Sequence, residues 1–201
     1  LSEQPLTPQG KDCAAALSAQ ADKLQTLIEA LVKTSRLETG ILTLHPQPGE
    51  ISSVVERAVA QYAPKAAEKD ITLTTRQTEG SAFFDPKWTE EAVCNLLCNG
   101  YEAAVQAGRE EPRVTLRIRA ERMWTVVAVE DNGPGIPPEK RGRIFEPFFT
   151  SKNTNYNWGM GLYYVRKIVQ SHLGKLRLES REGQGASFLI MLPVYDPRRK
   201  E

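Results

Sequence analysis

Apolar residues recur along this chain in two rhythms, one near the helical period and one of strict alternation, and their order lays out the fold. Residues 14–38 read as one long helix, with Leu17, Leu24 and Leu31 at heptad spacing and Ala21, Leu27 and Ile28 beside them. Such a seam asks for a partner helix. Pro5, Pro8 and Gly10 ahead of it read as a loop, and Gly40, just past Arg36-Leu37-Glu38, reads as its stop. Beyond Gly49 the pattern alternates: Ile51, Val54, Val55, Ala58, Val59 and Tyr62 mark a helix, 71–75 and 82–84 mark short strands, and 87–107 marks a second helix. Residues 114–120 and 124–129 flank a turn near Glu121-Arg122 and should pair as a hairpin, as should 175–180 with 187–192. Helices on one face of a mostly antiparallel mixed sheet make a two-layer α/β sandwich, here with a coiled-coil-like helix ahead of it.

Composition narrows the functional classes without choosing among them. A chain of 201 residues with 40% apolar content can bury one substantial core plus an appendage. A formal net charge of +1 supplies no general basic field for nucleic acid. No run approaches the roughly 18 apolar residues of a membrane helix, and no signal peptide is visible. Cys13, Cys94 and Cys98 are odd in number, which fits a reduced, cytoplasmic setting. Cys94 and Cys98 share a helix turn, but no further Cys or nearby His completes a zinc site, so packing is the preferred reading. His45 precedes Pro46 at a strand end. His172 closes a helix before Gly174, where a cation is favoured, and both read as structural.

The chemistry concentrates in four short stretches. Asp131-Asn132-Gly133-Pro134-Gly135-Ile136-Pro137 places a carboxylate at a strand end, followed by glycines that let the backbone approach a ligand. Alone, this is equally a plain turn. Upstream, Asn95 and Asn99 sit one helical turn apart on one face, and an amide oxygen is a neutral hard ligand suited to Mg²⁺. Downstream, Ile144-Phe145-Glu146-Pro147-Phe148-Phe149-Thr150-Ser151-Lys152 leads through a polar stretch, 153–157, to Gly159-Met160-Gly161-Leu162 at a helix start. Glycines there let phosphate oxygens meet N–H groups and the positive end of the helix dipole.

With these four elements in this order, the chain resembles the catalytic and ATP-binding domain of sensor histidine kinases, within the superfamily that includes gyrase, the Hsp90-type chaperones and MutL. Residues 95–99 match the N box, 131–135 the G1 box, 145–149 the F box and 159–162 the G2 box. Gly183-Gln184-Gly185-Ala186-Ser187-Phe188 resembles the end of that domain, so the likeness covers roughly residues 45 to 195. Pro147-Phe148-Phe149-Thr150-Ser151-Lys152 is similar to the nitrogen-regulator type. Many members carry Lys-Tyr soon after the second Asn, where this chain has Glu102-Ala103. Lys152 is the substitute candidate for that lysine, against the plainer reading of a solvated surface residue.

The resemblance implies a Bergerat-type ATP-binding fold over 41–201 and, over 1–40, the loop and second helix of a dimerisation and phosphoacceptor hairpin. The hairpin's first helix, with its His, is absent, and there is no initiating Met, so the chain reads as a fragment that cannot label itself. The implied activity is transfer of the ATP γ-phosphoryl group to a histidine on that missing helix, then to an Asp of a response regulator. The implied cofactors are ATP and Mg²⁺. Homodimerisation would run through the hairpin in the longer protein, with no nucleic-acid partner and with membrane attachment only through upstream segments. Asp131 would accept from the adenine amine, and Gly133, Gly135, Ile136 and Leu162 would line the ring. Asn99 and Asn95 would hold the metal. Phe149, Thr150, Lys152, Gly159, Met160 and Gly161 would border the phosphates. Asn95, Asn99 and Lys152 are the expected catalytic groups, and Phe145, Phe148 and Phe149 the expected anchors of a lid that is mobile at Gly142 and 153–157. The alternatives are an ATPase of the same superfamily and an anti-sigma-type serine kinase. Ordering of the lid over nucleotide should shift tryptophan emission, and the shift should disappear in Trp158→Phe while Trp88 and Trp124 remain; a response that survives this substitution means the lid is not what moves.

Overall fold

The computed structural model describes residues 7–38, 44–76, 79–150 and 159–194. In chain order the elements are α1 (Pro8–Glu38), β1 (Gln47–Glu50), α2 (Ser52–Ala67), β2 (Thr72–Arg76), β3 (Ser81–Phe84), α3 (Pro86–Ala107), β4 (Arg113–Ala120), β5 (Trp124–Asp131), α4 (Pro138–Arg141), α5 (Gly161–Ser171), β6 (Lys175–Arg181) and β7 (Gly185–Pro193). The first helix begins earlier than its apolar pattern, because Thr7 Oγ1 accepts the Gly10 N–H at 3.2 Å and Pro8 takes the first helical position. A proline there forfeits nothing, since that N–H has no intrahelical acceptor. Pro8 and Gly10 are therefore helical, not loop. Pro5 and Gly40 lie outside the described residues.

Five strands form one sheet in the order β2-β4-β5-β7-β6, with β2 and β4 parallel and the other pairs antiparallel. Both expected hairpins are present, β4 with β5 and β6 with β7. β1 and β3 pair with each other as a separate two-stranded ribbon. Alternation decides which face is buried: Leu116, Ile118, Val127, Val129, Phe188, Ile190 and Leu192 meet Val54 and Val55 of α2, Val93, Leu96 and Leu97 of α3, and Val165, Ile168 and Val169 of α5. On the opposite face Arg117 stands beside Ala128, Arg119 beside Val126 and Lys175 beside Met191. These apolar neighbours are buried, and the stems of long charged side chains are able to shade such surface.

Two side chains tie the helices into register. Asp85 caps α3, its Oδ1 accepting the N–H groups of Lys87 at 3.0 Å and Trp88 at 3.2 Å, while Oδ2 accepts the His45 N–H at 2.9 Å. His172 ends α5 in the interior, only 3% exposed. Its Nδ1 donates to the Ile168 carbonyl at 2.8 Å and its Nε2 accepts the Asp85 N–H at 2.9 Å. An accepting Nε2 carries no proton, so this is a neutral imidazole and not the helix-terminal cation expected from its position. Burial pushes its pKa below the ordinary value of about 6.5, outweighing the Ile168 carbonyl and the Asp85 charge. Trp88 and Tyr164 meet edge to face at 6.1 Å between centroids, a second tie between the same helices.

The folded-state pKa of His172 is lowered, so below about pH 6.5 the unfolded chain takes up the proton first. The stability from this group is complete above that pH and is lost as pH falls toward the depressed value. His172→Ala should cost at least about 1–3 kcal/mol at pH 7.5, from the unpaired buried Asp85 N–H. Urea unfolding should also show a shallower fall in stability between pH 7 and 5.5 in that variant. An unchanged slope sinks the assignment.

Candidate nucleotide site

Asp131 is the last residue of β5, and its carboxylate is held by the backbone around it. Oδ1 accepts the N–H groups of Gly133 at 2.8 Å and Ala186 at 3.3 Å, which fixes the orientation of the acid. The next residue does equal work unseen by sequence reading. Asn132 Oδ1 accepts the Arg113 N–H and its Nδ2 donates to the Glu111 carbonyl, both at 2.8 Å, so one amide staples the turn to the start of β4. An Asx residue beside a glycine is a visible turn signal, but its partners lie about twenty residues away.

The rest of the loop is pinned to the β6–β7 turn. Gly135 has φ +74, and a Cβ there would overlap the Arg181 carbonyl, so no larger residue fits without moving the strand end. The Gly183 N–H donates to the Pro134 carbonyl at 2.6 Å, and the Ile136 N–H donates to Ser180 Oγ at 2.9 Å. Arg109 reaches across from beyond α3 to the Gly183 carbonyl at 2.5 Å, and Arg141 Nε donates to the Ile136 carbonyl at 2.9 Å. Ile136 and Leu162 both pack partly buried against the core.

α3 links this loop to the glycine-rich helix start. A Cβ on Gly100 would lie 3.6 Å from the Asp131 Cβ, and one on Gly133 would lie 2.7 Å from the Ala103 Cβ. On the same helix, Asn95 Nδ2 donates to the Glu91 carbonyl at 2.9 Å. Its Oδ1 is 3.3 Å from where a Gly161 Cβ would be, and Asn99 Nδ2 is 3.8 Å from that point. The expected groups Asn95, Asn99, Asp131, Gly133 and Gly161 therefore gather along one flank of α3. Met160 precedes α5 without a side-chain cap, and the first N–H groups of a helix have no intrahelical acceptor.

The lid residues divide differently from expectation. Phe145 meets Phe188 edge to face at 6.4 Å, and Phe149 is partly buried with the Arg143 guanidinium 4.7 Å over its ring. Phe148 is 54% exposed with φ +64, so it anchors nothing in the core. The left-handed backbone at Phe148 itself accompanies the outward ring. Gly159, at φ +67, passes so close to Phe149 that a Cβ would overlap its carbonyl. Thr150 is exposed. Lys152, Trp158 and the polar stretch 153–157 lie outside the described residues.

The sequence profile of the family described as "Histidine kinase-, DNA gyrase B-, and HSP90-like ATPase" matches residues 84–196. The chain belongs to this family. It is 30% identical over 192 residues to the alginate biosynthesis sensor protein KinB of Pseudomonas aeruginosa, covering 94% of this chain and 32% of that protein. It is 32% identical over 181 residues to the signal transduction histidine-protein kinase/phosphatase MprB of Mycobacterium avium, covering 87% of this chain and 33% of the relative. The chain thus spans about a third of the length of these curated relatives. Among solved structures it resembles full-length ShkA in complex with AMPPNP, with a TM-score of 0.77, 24% identity and coverage of 94% of this chain and 40% of that one. It also resembles a mycobacterial sensor histidine kinase MprB, with a TM-score of 0.63, 27% identity and coverage of 74% and 97%. The first likeness establishes the two-layer α/β fold.

If the turn depends on Asn132, Asn132→Ala should lower stability by about 1–3 kcal/mol through two lost hydrogen bonds to backbone. Asn132→Asp keeps the acceptor for the Arg113 N–H and should recover about half. Equal midpoints of urea unfolding for the wild type and the alanine variant would remove the staple from the account.

Proposed function

We propose that the chain is the ATP-binding and phosphotransfer portion of a two-component sensor histidine kinase. The observation that carries this reading is the single flank of α3 on which Asp131, Asn95, Asn99 and the start of α5 meet. The family match and the names of the related proteins, a sensor protein and a signal transduction histidine-protein kinase/phosphatase, support it. An ionised carboxylate only accepts, so Asp131 takes a hydrogen bond from the exocyclic amine of adenine. Gly133 and Gly135 leave room for the ring, with Ile136 and Leu162 as apolar walls. The N–H groups after Met160 receive phosphate oxygens, and Lys152 supplies the cation that Glu102-Ala103 does not.

The amide oxygens of Asn95 and Asn99 are neutral hard donors, the kind Mg²⁺ accepts alongside water and phosphate. When bound, the ion neutralises charge on the phosphates. Asn95 stands where the related ATPases place a water-activating acid, and an amide takes no proton at neutral pH. The pocket therefore positions ATP without activating water. The nucleophile is an imidazole nitrogen from an upstream helix: the N–P bond forms as the bond from phosphorus to the departing ADP oxygen breaks, and the imidazole gives its proton to solvent. A response-regulator Asp receives the group afterwards. Residues 1–40 serve as part of the helical hairpin, supported by the exposed Leu17, Leu24 and Ile28 along α1, and the longer protein dimerises there.

Asp131→Ala should weaken ATP binding by about 1.5–3 kcal/mol, the worth of a hydrogen bond to a charged group, in titration calorimetry with Mg²⁺ present. Unchanged affinity removes the acid from the pocket. With γ-labelled ATP the chain alone should neither label itself nor release phosphate quickly. Adding the upstream helix should yield a phosphoramidate, labile in acid and stable in base. Acid-stable label on Ser or Thr would favour a serine kinase, and rapid phosphate release an ATPase.

A further inference from the structure

A pair of thiols on α3 is used by none of the proposed nucleotide chemistry. Cys94 Sγ donates to Gln61 Oε1 of α2 at 3.2 Å, and Cys98 Sγ lies 3.8 Å from Glu102 Oε1. Burial, followed by the charge and hydrogen bond of Cys98 beside it, holds the Tyr62 hydroxyl above the ordinary tyrosine range. Both cysteines are half-buried and open on a groove of about 640 Å³ between α2 and α3, bordered also by Arg57, Tyr62, Glu90 and the carboxamide-bearing Asn95.

We propose that Cys94 and Cys98 form a dithiol site for a trivalent arsenical, which they chelate through both sulfurs. Residues four apart on a helix share a face, with Cβ atoms about 5–6 Å apart. A disulfide needs about 3.5–4.5 Å, so direct oxidation would break the helix turn. A bridging arsenic atom with two long bonds to sulfur spans the gap with the backbone unchanged. The helix already holds both thiols on one side, which removes much of the ordering cost of chelation. Among the described residues no group of three His, Cys, Asp or Glu side chains is placed to hold a metal ion, and the chelate uses the two thiols alone.

The reaction balances without an oxidant. Phenylarsine oxide hydrates in water to an arsonous acid bearing two hydroxyls. Two As–S bonds form, two As–O bonds break, and each thiol proton leaves with a hydroxide as water. Burial and the nearby Glu90 and Glu91 push the Cys94 thiol up to about 11, which disfavours attack on single-thiol alkylating agents at neutral pH. At Cys94 the condensation begins from the neutral thiol.

Phenylarsine oxide at stoichiometric concentration, followed by mass spectrometry of the intact chain and of its tryptic peptides, tests the site. Cleavage after Lys87 and Arg109 puts both cysteines on one peptide, while Cys13 falls on another. One bridged phenylarsine per chain is expected on residues 88–109, removable by a competing small dithiol. Cys94→Ser and Cys98→Ser should each weaken binding at least tenfold. The proposal is overturned by an unmodified wild-type chain, by label on the Cys13 peptide alone, or by full binding in either serine variant. The wild-type peptide result stands even if a variant fails to fold.

Discussion

How α5 lies against α3 decides whether the two carboxamides meet the glycine-bearing helix start. The two helices run antiparallel, and three contacts set their register. At one end His172 accepts the Asp85 N–H; next to it Tyr164 meets Trp88; at the other end Gly161 faces Asn95 and Asn99. A slip of one helical turn, 5.4 Å, would carry the first N–H groups of α5 away from the two carboxamides. The His172 hydrogen bond is the part of this lock that resists slippage most strongly, because a buried donor or acceptor left unpaired costs more than its bond is worth when made. A neutral, fully satisfied imidazole far from the chemistry thus determines where the chemistry stands.

The acid at the other side of the site is held by a different device. Asp131 ends the middle strand of the sheet, so its Cα position is set by ladders on both sides, to β4 and to β7. Backbone N–H groups then orient the carboxylate, and Asn132 ties the following turn to β4. The glycines that make the loop recognisable are demanded by close approach of other backbone: Gly135 to the end of β6, and Gly185 to Asp131 itself. Room for a ligand and room for neighbouring strands are the same requirement here.

Periodicity made the two hairpins, the core faces and the helix carrying the carboxamides legible, because each rests on contacts within one element or between neighbours. The four box motifs were legible because their residues are contiguous. What escaped depends on partners far apart in the chain. The Asp85–His172 bond joins residues 87 positions apart, and no local pattern distinguishes a buried acceptor imidazole from a helix-terminal cation. Pro8 and Gly10 looked like breakers because the cap from Thr7 outweighs their helix propensity only at a first turn. The three phenylalanines near 145–149 share a residue type but not an environment, since the turn at Phe148 reverses its direction. The separation of β1 and β3 from the main sheet was likewise invisible, as short strands carry no signal of which edge they join.

The pair Glu102-Ala103 gains a physical meaning from α3's placement. The Ala103 methyl already sits where a Gly133 Cβ would collide with it, so the side chain at 103 and the position of the 131–135 loop are set together. A bulkier residue at 103 would have to leave that contact or push the loop outward, and Asp131, tied to Gly133 by a hydrogen bond, would move with it. The alanine lets the loop settle directly on α3, while Glu102 on the neighbouring helix position meets Cys98. A single methyl contact thereby sets how closely the acid-bearing loop rests on the helix of the carboxamides.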